Sequence, residues 1–128
     1  MILLVDTHIV LWSANESPDL PQAARSLIEG TETVPCFSAA SIWEVAIKLA
    51  RSKPGFSVNP RSLRAGLLQN GWREIPVTGE HAAATLDLPA IHKDPFDRLI
   101  VAQAVHENLV LMTSDRILAR YPGNILKV

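Results

Sequence analysis

The sequence contains one cysteine, Cys36, among its 128 residues. A single cysteine excludes an intramolecular disulfide and a structural zinc site built from several thiolates. Long apolar runs are missing too: none exceeds about six residues, far below the ~20 that a membrane-spanning helix needs. The amino-terminal segment MILLVDTHIV is too short and too acidic for a signal peptide. These absences predict a small cytoplasmic domain.

The sequence also lacks an excess of charge of either sign. Twelve Lys and Arg residues face thirteen Asp and Glu residues, a net charge of −1, so total charge makes no case for a nucleic-acid-binding protein. The distribution is uneven, because residues 1–44 hold six acids and one base, whereas residues 45–73 hold no acid. That acid-free stretch contains Lys48, Arg51, Lys53, Arg61, Arg64 and Arg73. It predicts a basic face suited to a polyanion, although a solvated helix-loop-helix would fit the same charges.

Apolar segments alternate with helical ones along the chain. Hydrophobic residues make up 48% and charged residues 20%, which is typical of one compact domain, here residues 1–128. Strands are predicted at 2–5, 34–37, 72–77, 109–112 and 125–128, and helices at 7–14, 21–29, 39–53, 60–69, 80–86, 94–108 and from 114 or 115 to 120. Uninterrupted apolar strands are typical of a parallel sheet covered on both faces. We therefore expect an α/β fold, a three-layer α/β/α domain with a mainly parallel central sheet.

Four acidic side chains are expected to converge at the carboxyl edge of this sheet, where open α/β folds bind ligands. Asp6 ends the first strand, and Asp115 follows the strand at 109–112. Glu44 lies on the helix after the second strand, and Asp97 lies in the first turn of the helix at 94–108. Clustered carboxylates repel one another, so a fold keeps them only if a cation or bound protons offset their charge. Mg²⁺ suits such oxygen ligands and indicates phosphoryl chemistry.

Each of these acids also has a purely structural explanation. Asp6 and Asp115 could each cap the helix that follows. Glu44 could form a surface ion pair with Lys48, four residues further along the same helix. These explanations remain open on the sequence alone.

The segment that carries Asp97 has a helix-start signature of its own. Asp94 is expected to cap this helix and to stay outside the metal site. Asp97 could merely complete a capping-box-like arrangement with Asp94 or form an ion pair with Arg98. The histidines show no metal-ligand spacing and are expected to be structural or to support the site: His8, His81, His92 and His106. The tryptophans are expected in the core rather than as base-stacking surfaces: Trp12, Trp43 and Trp72.

Four segments in order, LLVDTHIVLW, SAASIWEVAIK, HKDPFDRLIVAQA and TSD, end at Trp12, Lys48, Ala104 and Asp115. Together they resemble the motifs of PIN-domain proteins, and most closely the VapC-like toxins of bacterial type II toxin-antitoxin modules. The resemblance implies a three-layer α/β/α fold, a metal-dependent ribonuclease activity and a homodimer. It also implies inhibition by a cognate antitoxin whose tail covers the active site.

The resemblance assigns roles residue by residue. It implies a catalytic and metal-binding quartet of Asp6, Glu44, Asp97 and Asp115, with Mg²⁺ or Mn²⁺ as the cofactor. Supporting polar roles fall to Thr7, Thr113 and Ser114. Roles facing RNA fall to Lys48 and Arg98, and the acid-free stretch adds Arg51, Arg61 and Arg64. The expected reaction is hydrolysis of an RNA phosphodiester by a metal-activated water, with transfer RNA or ribosomal RNA as substrate.

Two other functions are compatible with such a fold. A non-catalytic PIN-like scaffold could bind RNA or protein, but a scaffold gains nothing from the mutual repulsion of four acids. An aspartyl-phosphate enzyme is the other alternative. The segment Asp6-Thr7-His8 lacks the second aspartate that such a phosphatase carries two residues after the first.

Overall fold

The computed structural model describes residues 1–51 and 54–128 and contains a five-stranded sheet with helices on both faces. The strands are β1 (Ile2–Val5), β2 (Val34–Ser38), β3 (Arg73–Ile75), β4 (Val110–Thr113) and β5 (Ile125–Lys127). Their order is β3-β2-β1-β4-β5, and every neighbouring pair is parallel. The expected α/β/α domain with a mainly parallel sheet is confirmed. β1 lies at the centre, between β2 and β4, so its carboxyl end opens where the strand order reverses.

The helices begin close to the residues that the capping signals indicate. They are α1 (Thr7–Ala14), α2 (Gln22–Glu29), α3 (Ala39–Ala50), α4 (Pro60–Gln69), α5 (Gly79–Ala84) and α6 (Pro95–His106). Ser38 caps α3, and Asn59 caps α4 by accepting two backbone N–H groups. Some helices differ from expectation. Helix α3 ends at Ala50 instead of continuing to residue 53. The last segment expected as a helix, which ends at residue 120, contains only a 3₁₀ turn, Leu118–Arg120. Lys53 lies outside the described residues.

The hydrophobic core has two halves, one on each face of the sheet. On one face, Leu3, Val5 and Met112 pack against helices α1 to α4. On the other face, Leu4 and Leu111 pack against α6 and the segment around the 3₁₀ turn 118–120. Neighbouring residues of a strand face opposite sides, so burial of both sets explains why the strands are apolar throughout.

The expected core position of Trp43 is wrong, because 61% of this side chain is exposed. Ser41 and Val45, four residues apart on α3, both face the interior. A residue midway between them lies roughly 200° around the helix and so faces outward. Trp43 instead contacts Phe96 on α6, with the ring centroids 5.2 Å apart in an edge-to-face arrangement.

Cys36 is fully buried on β2, and burial raises the pKa of its thiol. Within residues 1–51 and 54–128, no helix is long and apolar enough to cross a membrane.

Candidate active site

Asp6 lies directly after β1, at the centre of the sheet's carboxyl edge, and is almost completely buried. Its Oδ1 accepts the backbone N–H of Ile9 at 3.1 Å, which caps α1. Its Oδ2 accepts a hydrogen bond from the hydroxyl of Thr113, the last residue of β4. Burial raises the pKa of the Asp6 carboxyl, and these hydrogen bonds oppose the rise. Asp6 therefore caps a helix and also presents a buried carboxylate at the strand ends.

Glu44 is buried on α3, with 7% of the residue exposed. Its Oε2 lies 3.2 Å from Nζ of Lys48, so the i,i+4 ion pair exists but is largely withdrawn from solvent. In the described part of the chain, Oε1 of Glu44 is the buried side-chain polar atom without a hydrogen-bond partner. An unsatisfied buried acceptor costs ~1–3 kcal/mol or more when charged. A cation at Oε1 would remove that cost.

Asp97 lies in the first turn of α6, which Asp94 caps as expected. Burial, followed by the negative charge of Asp94, raises the pKa of Asp97 to about 7. This value includes a lowering by the charge of His92 and smaller upward contributions from the charges of Glu44 and Asp6. Because charges act on a carboxyl only over short distances in a screened medium, Asp97 shares one neighbourhood with Glu44 and Asp6.

Asp115 lies two residues beyond β4 and uses its two carboxylate oxygens differently. Oδ1 accepts the backbone N–H groups of Ile117 at 2.7 Å and Leu118 at 3.4 Å, so Asp115 braces the turn that leads into the 3₁₀ turn 118–120 and does not cap an α-helix as the structural explanation expected. Oδ2 lies 3.5 Å from Nε2 of His92. One ligand atom from each of Asp115, Asp97 and His92 lies within 4.8 Å of the others. The structure thus links the fourth acid to the other three through Asp97.

The polar residues expected to support the site hold its backbone and carboxylates in place. The Thr113 hydroxyl donates to Asp6 and accepts the backbone N–H of Asp115 at 3.0 Å, which couples two of the acids. The Thr7 hydroxyl lies 2.8 Å from the hydroxyl of Ser41, joining α1 to α3 in the interior. Ser114 is half-buried beside these residues.

His92 lies in the site, although the sequence grouped it with the other histidines as structural or supporting and did not single it out. Its Nε2 lies 3.3 Å from Oδ2 of Asp97 and 3.5 Å from Oδ2 of Asp115. A search for metal-ligand spacing among the histidines misses it, because its partners are carboxylates brought together by the fold. Its place two residues before the helix cap Asp94 is the local signal that could have indicated it.

The basic residues expected to face RNA differ in whether an acidic side chain of the protein already pairs with them. Arg64 is held by Glu74, with Nε–Oε2 at 2.7 Å and Nη2–Oε1 at 3.1 Å. Arg51 and Arg61 are exposed and, among residues 1–51 and 54–128, form no ion pair within 4 Å. An unpaired surface guanidinium is the better phosphate contact, because binding does not first require breaking an existing pair.

Arg98 is engaged in contacts within the protein. Its guanidinium donates to the carbonyl oxygens of Thr85 at 2.8 Å and Pro89 at 2.9 Å, and to the hydroxyl of Tyr121 at 3.2 Å. These bonds tie the segment before α6 to the helix. An RNA-facing role for Arg98 remains a prediction that these contacts do not support.

A second group of possible metal ligands, His81, His106 and Glu107, lies at the far end of α6. Nδ1 of His81 accepts the backbone N–H of Thr78 at 3.0 Å, so its hydrogen is on Nε2, which lies 2.8 Å from Glu107. A metal would need the lone pair that this hydrogen occupies. His81 is therefore explained by its capping box with Thr78, in line with the expected structural role.

The acidic cluster fits a divalent cation with oxygen ligands. It combines an orphaned buried oxygen on Glu44 with two carboxyls whose pKa is raised, Asp6 and Asp97. Both features follow mainly from burying carboxyl groups away from water, with neighbouring acids adding to the cost of ionisation, and a bound cation would offset that cost. Carboxylate oxygens are the ligands that Mg²⁺ and Mn²⁺ prefer.

Comparison with known proteins identifies the family to which the chain belongs. The family model of the PIN domain matches residues 3–124. Ribonuclease VapC22 of Mycobacterium tuberculosis is 30% identical over 115 residues, which cover 89% of this chain and 87% of that protein. The chain belongs to the PIN-domain family, which confirms the resemblance identified in its motifs.

Solved structures of other proteins share the fold. A chain in the crystal structure of VapBC2 from Rickettsia felis, bound to a promoter DNA fragment, has a TM-score of 0.74 at 16% identity and covers 100% of this chain and 99% of its own. The sarcin-ricin loop cleaving toxin VapC20 of Mycobacterium tuberculosis has a TM-score of 0.65 at 15% identity, covering 94% and 96% of the two chains. At these identities the likeness establishes the α/β/α architecture alone.

Proposed function

We propose that this protein is a VapC-like toxin of a type II toxin-antitoxin module and acts as a metal-dependent endoribonuclease. The observation that carries the proposal is the buried acidic cluster at the carboxyl edge of the sheet, with an oxygen of Glu44 left without a partner. The relationship to ribonuclease VapC22 supports the activity. A purely structural cluster would pair that oxygen instead of leaving it orphaned.

Mg²⁺ or Mn²⁺ at this site would supply an activated water and offset the charge that develops on the phosphate during hydrolysis. Asp6, Glu44 and Asp97 would hold the cation. Asp115 would orient a water or a second ion from the side of β4. Lys48, beside Glu44, adds a positive charge at the rim of the cluster, where the scissile phosphate would lie.

RNA would be held by the exposed cations around α4 rather than by a base-reading surface. Arg51 and Arg61 are free to contact phosphates, which contribute affinity without sequence information. A structured RNA with an unpaired loop is the expected substrate, either transfer RNA or ribosomal RNA.

The family relationship extends the proposal to partners and location. We expect a cognate antitoxin to cover the acidic site, since the structural neighbours include toxin-antitoxin complexes. The resemblance also supports a homodimer and a cytoplasmic location, with residues 1–128 acting as one domain. Light scattering on the purified toxin and its complex would test the dimer and the antitoxin together.

The deciding experiment is cleavage of total RNA by purified protein with Mg²⁺, with Mn²⁺ and with EDTA, alongside the Asp97→Asn variant. We expect cleavage that requires the metal and is lost in the variant, because Asp97 is central to the cluster. A variant of an exposed acid, Asp19→Asn, should cleave as the wild type does. If folded, antitoxin-free protein binds RNA yet cuts nothing under any condition, the non-catalytic scaffold is the better description.

A further inference from the structure

We propose that His92 is a positioning residue that holds Asp97 and Asp115 in one metal shell because its Nε2–H lies near a carboxylate oxygen of each and attracts both. The inference deepens the proposed function and rests on it for the identity of the cation. It assigns a role to a residue outside the acidic quartet.

The hydrogen bonds of the imidazole decide which nitrogen carries its hydrogen. Nδ1 accepts the backbone N–H of Asp94 at 3.0 Å, so Nδ1 provides a lone pair and the hydrogen lies on Nε2. Nε2 in turn lies 3.3 Å from Oδ2 of Asp97 and 3.5 Å from Oδ2 of Asp115. A hydrogen placed between two carboxylates attracts both, and it offsets part of the repulsion between them.

The same tautomer argues against His92 as a metal ligand. Ligation through Nε2 would move the hydrogen to Nδ1, where it would face the N–H of Asp94. Two donors would then oppose each other, and α6 would lose a contact beside its cap. His92 therefore acts on the cation through the two carboxylates, as second partners of metal ligands commonly do.

The imidazole is also held from behind. The backbone N–H of His92 donates to the hydroxyl of Tyr121 at 2.7 Å, and Tyr121 is almost completely buried. Arg98 donates to the same hydroxyl at 3.2 Å and to two carbonyls of the preceding segment. This network fixes the backbone from which the imidazole projects, and it gives Arg98 a reason to be turned inward.

The test compares two amide variants by the affinity of the RNA-free protein for Mn²⁺, measured by electron paramagnetic resonance. The amide nitrogen of glutamine lies near the position of Nε2, whereas the asparagine amide is too short to reach the carboxylates. We expect His92→Asn to weaken Mn²⁺ binding by about tenfold or more, the scale typical of outer partners of metal ligands. His92→Gln should recover most of the affinity.

Controls separate this role from misfolding and from direct ligation. His106→Ala, at the other end of α6, should leave the Mn²⁺ affinity unchanged. Tyr121→Phe keeps the aromatic ring but removes the hydroxyl behind His92, and should lower the affinity by less than His92→Asn does.

Three results would overturn the inference. If folded His92→Asn binds Mn²⁺ as tightly as the wild type, His92 positions nothing. If the spin-echo spectrum of the wild type shows a nitrogen bonded directly to Mn²⁺, His92 is a ligand instead of a donor. If the wild type does not bind Mn²⁺, both this inference and the proposed metal-dependent activity fail, whereas the first two results leave that activity intact.

Discussion

At the scale of single residues, the chemistry of the site depends on how close its carboxyls lie to one another. Asp97 shows this most clearly, because burial and three neighbouring acids raise its pKa to about 7. Asp6 shows a rise in the same direction, caused mainly by burial. Without a cation, the folded protein therefore holds protons that the unfolded chain would release.

The first prediction is that the metal-free protein loses stability as pH rises from about 4 to about 7. Over this range folded Asp97 keeps its proton while unfolded Asp97, with an ordinary pKa of 3.8, has lost it. The folded state then binds more protons than the unfolded state, so the free energy of unfolding falls with pH, by up to a few kcal/mol. Urea unfolding in EDTA at pH 5 and pH 8 would measure this fall in the free energy of unfolding.

Asp97→Asn should flatten this pH dependence, and the part that remains should come from Asp6. Asp19→Asn, an exposed acid, is the matched control and should keep the wild-type slope. An unchanged slope in Asp97→Asn would show that Asp97 ionises normally in the folded state.

The second prediction concerns the unpartnered oxygen of Glu44. A cation that binds only the folded state adds about 2.7 kcal/mol of stability at a concentration one hundred times Kd. Glu44→Gln should lose most of the increase in Tm that Mg²⁺ or Mn²⁺ causes, because the amide replaces a charged ligand. Thermal unfolding with and without metal would measure the loss.

Glu29→Gln is the matched control for this prediction. Glu29 also forms an i,i+4 pair with a cation, Arg25 at 3.6 Å, but on the surface. Its substitution should leave the metal-induced increase in Tm intact. Equal increases in the wild type and Glu44→Gln would remove Glu44 from the metal site.

At the scale of secondary structure, the start of α6 controls the position of Asp97. The Asp94 side chain accepts backbone N–H groups from the first turn, and Pro95 occupies the first helical position. The cap holds the turn that carries Asp97, while its charge raises the pKa of that residue. One side chain thus has a structural effect and an electrostatic effect that substitution can separate.

The third prediction separates these two effects. Asp94→Ala removes the cap and should lower the free energy of unfolding by ~1 kcal/mol. Asp94→Asn keeps an acceptor of similar capping strength and should change stability little, while lowering the pKa of Asp97. Carbon-detected NMR titration of the Asp97 carboxyl, together with urea unfolding, would measure both. Equal destabilisation by the two variants would contradict the capping role.

At the scale of the whole molecule, the strand order places the acids and the cations in different regions of one domain. Asp6 and Asp115 follow the neighbouring strands β1 and β4, whereas the exposed cations follow α3 or lie on α4. The exposed cations would then anchor the RNA through its phosphates, while the metal site would cleave the RNA in a different region of the protein. Such contacts weaken with salt because binding releases counter-ions.

The fourth prediction compares two arginines three residues apart on α4. Arg61→Glu should weaken RNA binding at low salt and reduce the salt dependence by about one phosphate contact. Arg64→Glu should have a smaller effect, because Glu74 already pairs with that guanidinium. Fluorescence anisotropy over a salt series would measure both variants on the metal-free protein. If the two variants lose RNA affinity equally, or if the loss does not depend on salt, Arg61 is not the phosphate contact.

The sequence by itself determined the features that depend on local chemistry. Apolar runs indicated the parallel strands, and capping residues indicated where α3, α4 and α6 begin. Acids that follow strands could be assigned to one edge of the sheet because parallel strands end together. The positions of Asp6 and Asp115 could be predicted because apolar runs mark the strands and because parallel strands end at the same edge of the sheet.

Only the tertiary structure decided how side chains far apart in sequence meet. His92 contacts two acids, Arg98 turns toward Tyr121, and Trp43 lies outside the core, although local patterns did not indicate these outcomes. Local patterns report propensities along the chain, whereas these contacts depend on the packing of α3, α6 and β4 against one another. Burial and charge at those contacts raise the pKa of Asp97, and the packing leaves Oε1 of Glu44 without a hydrogen-bond partner among the described residues.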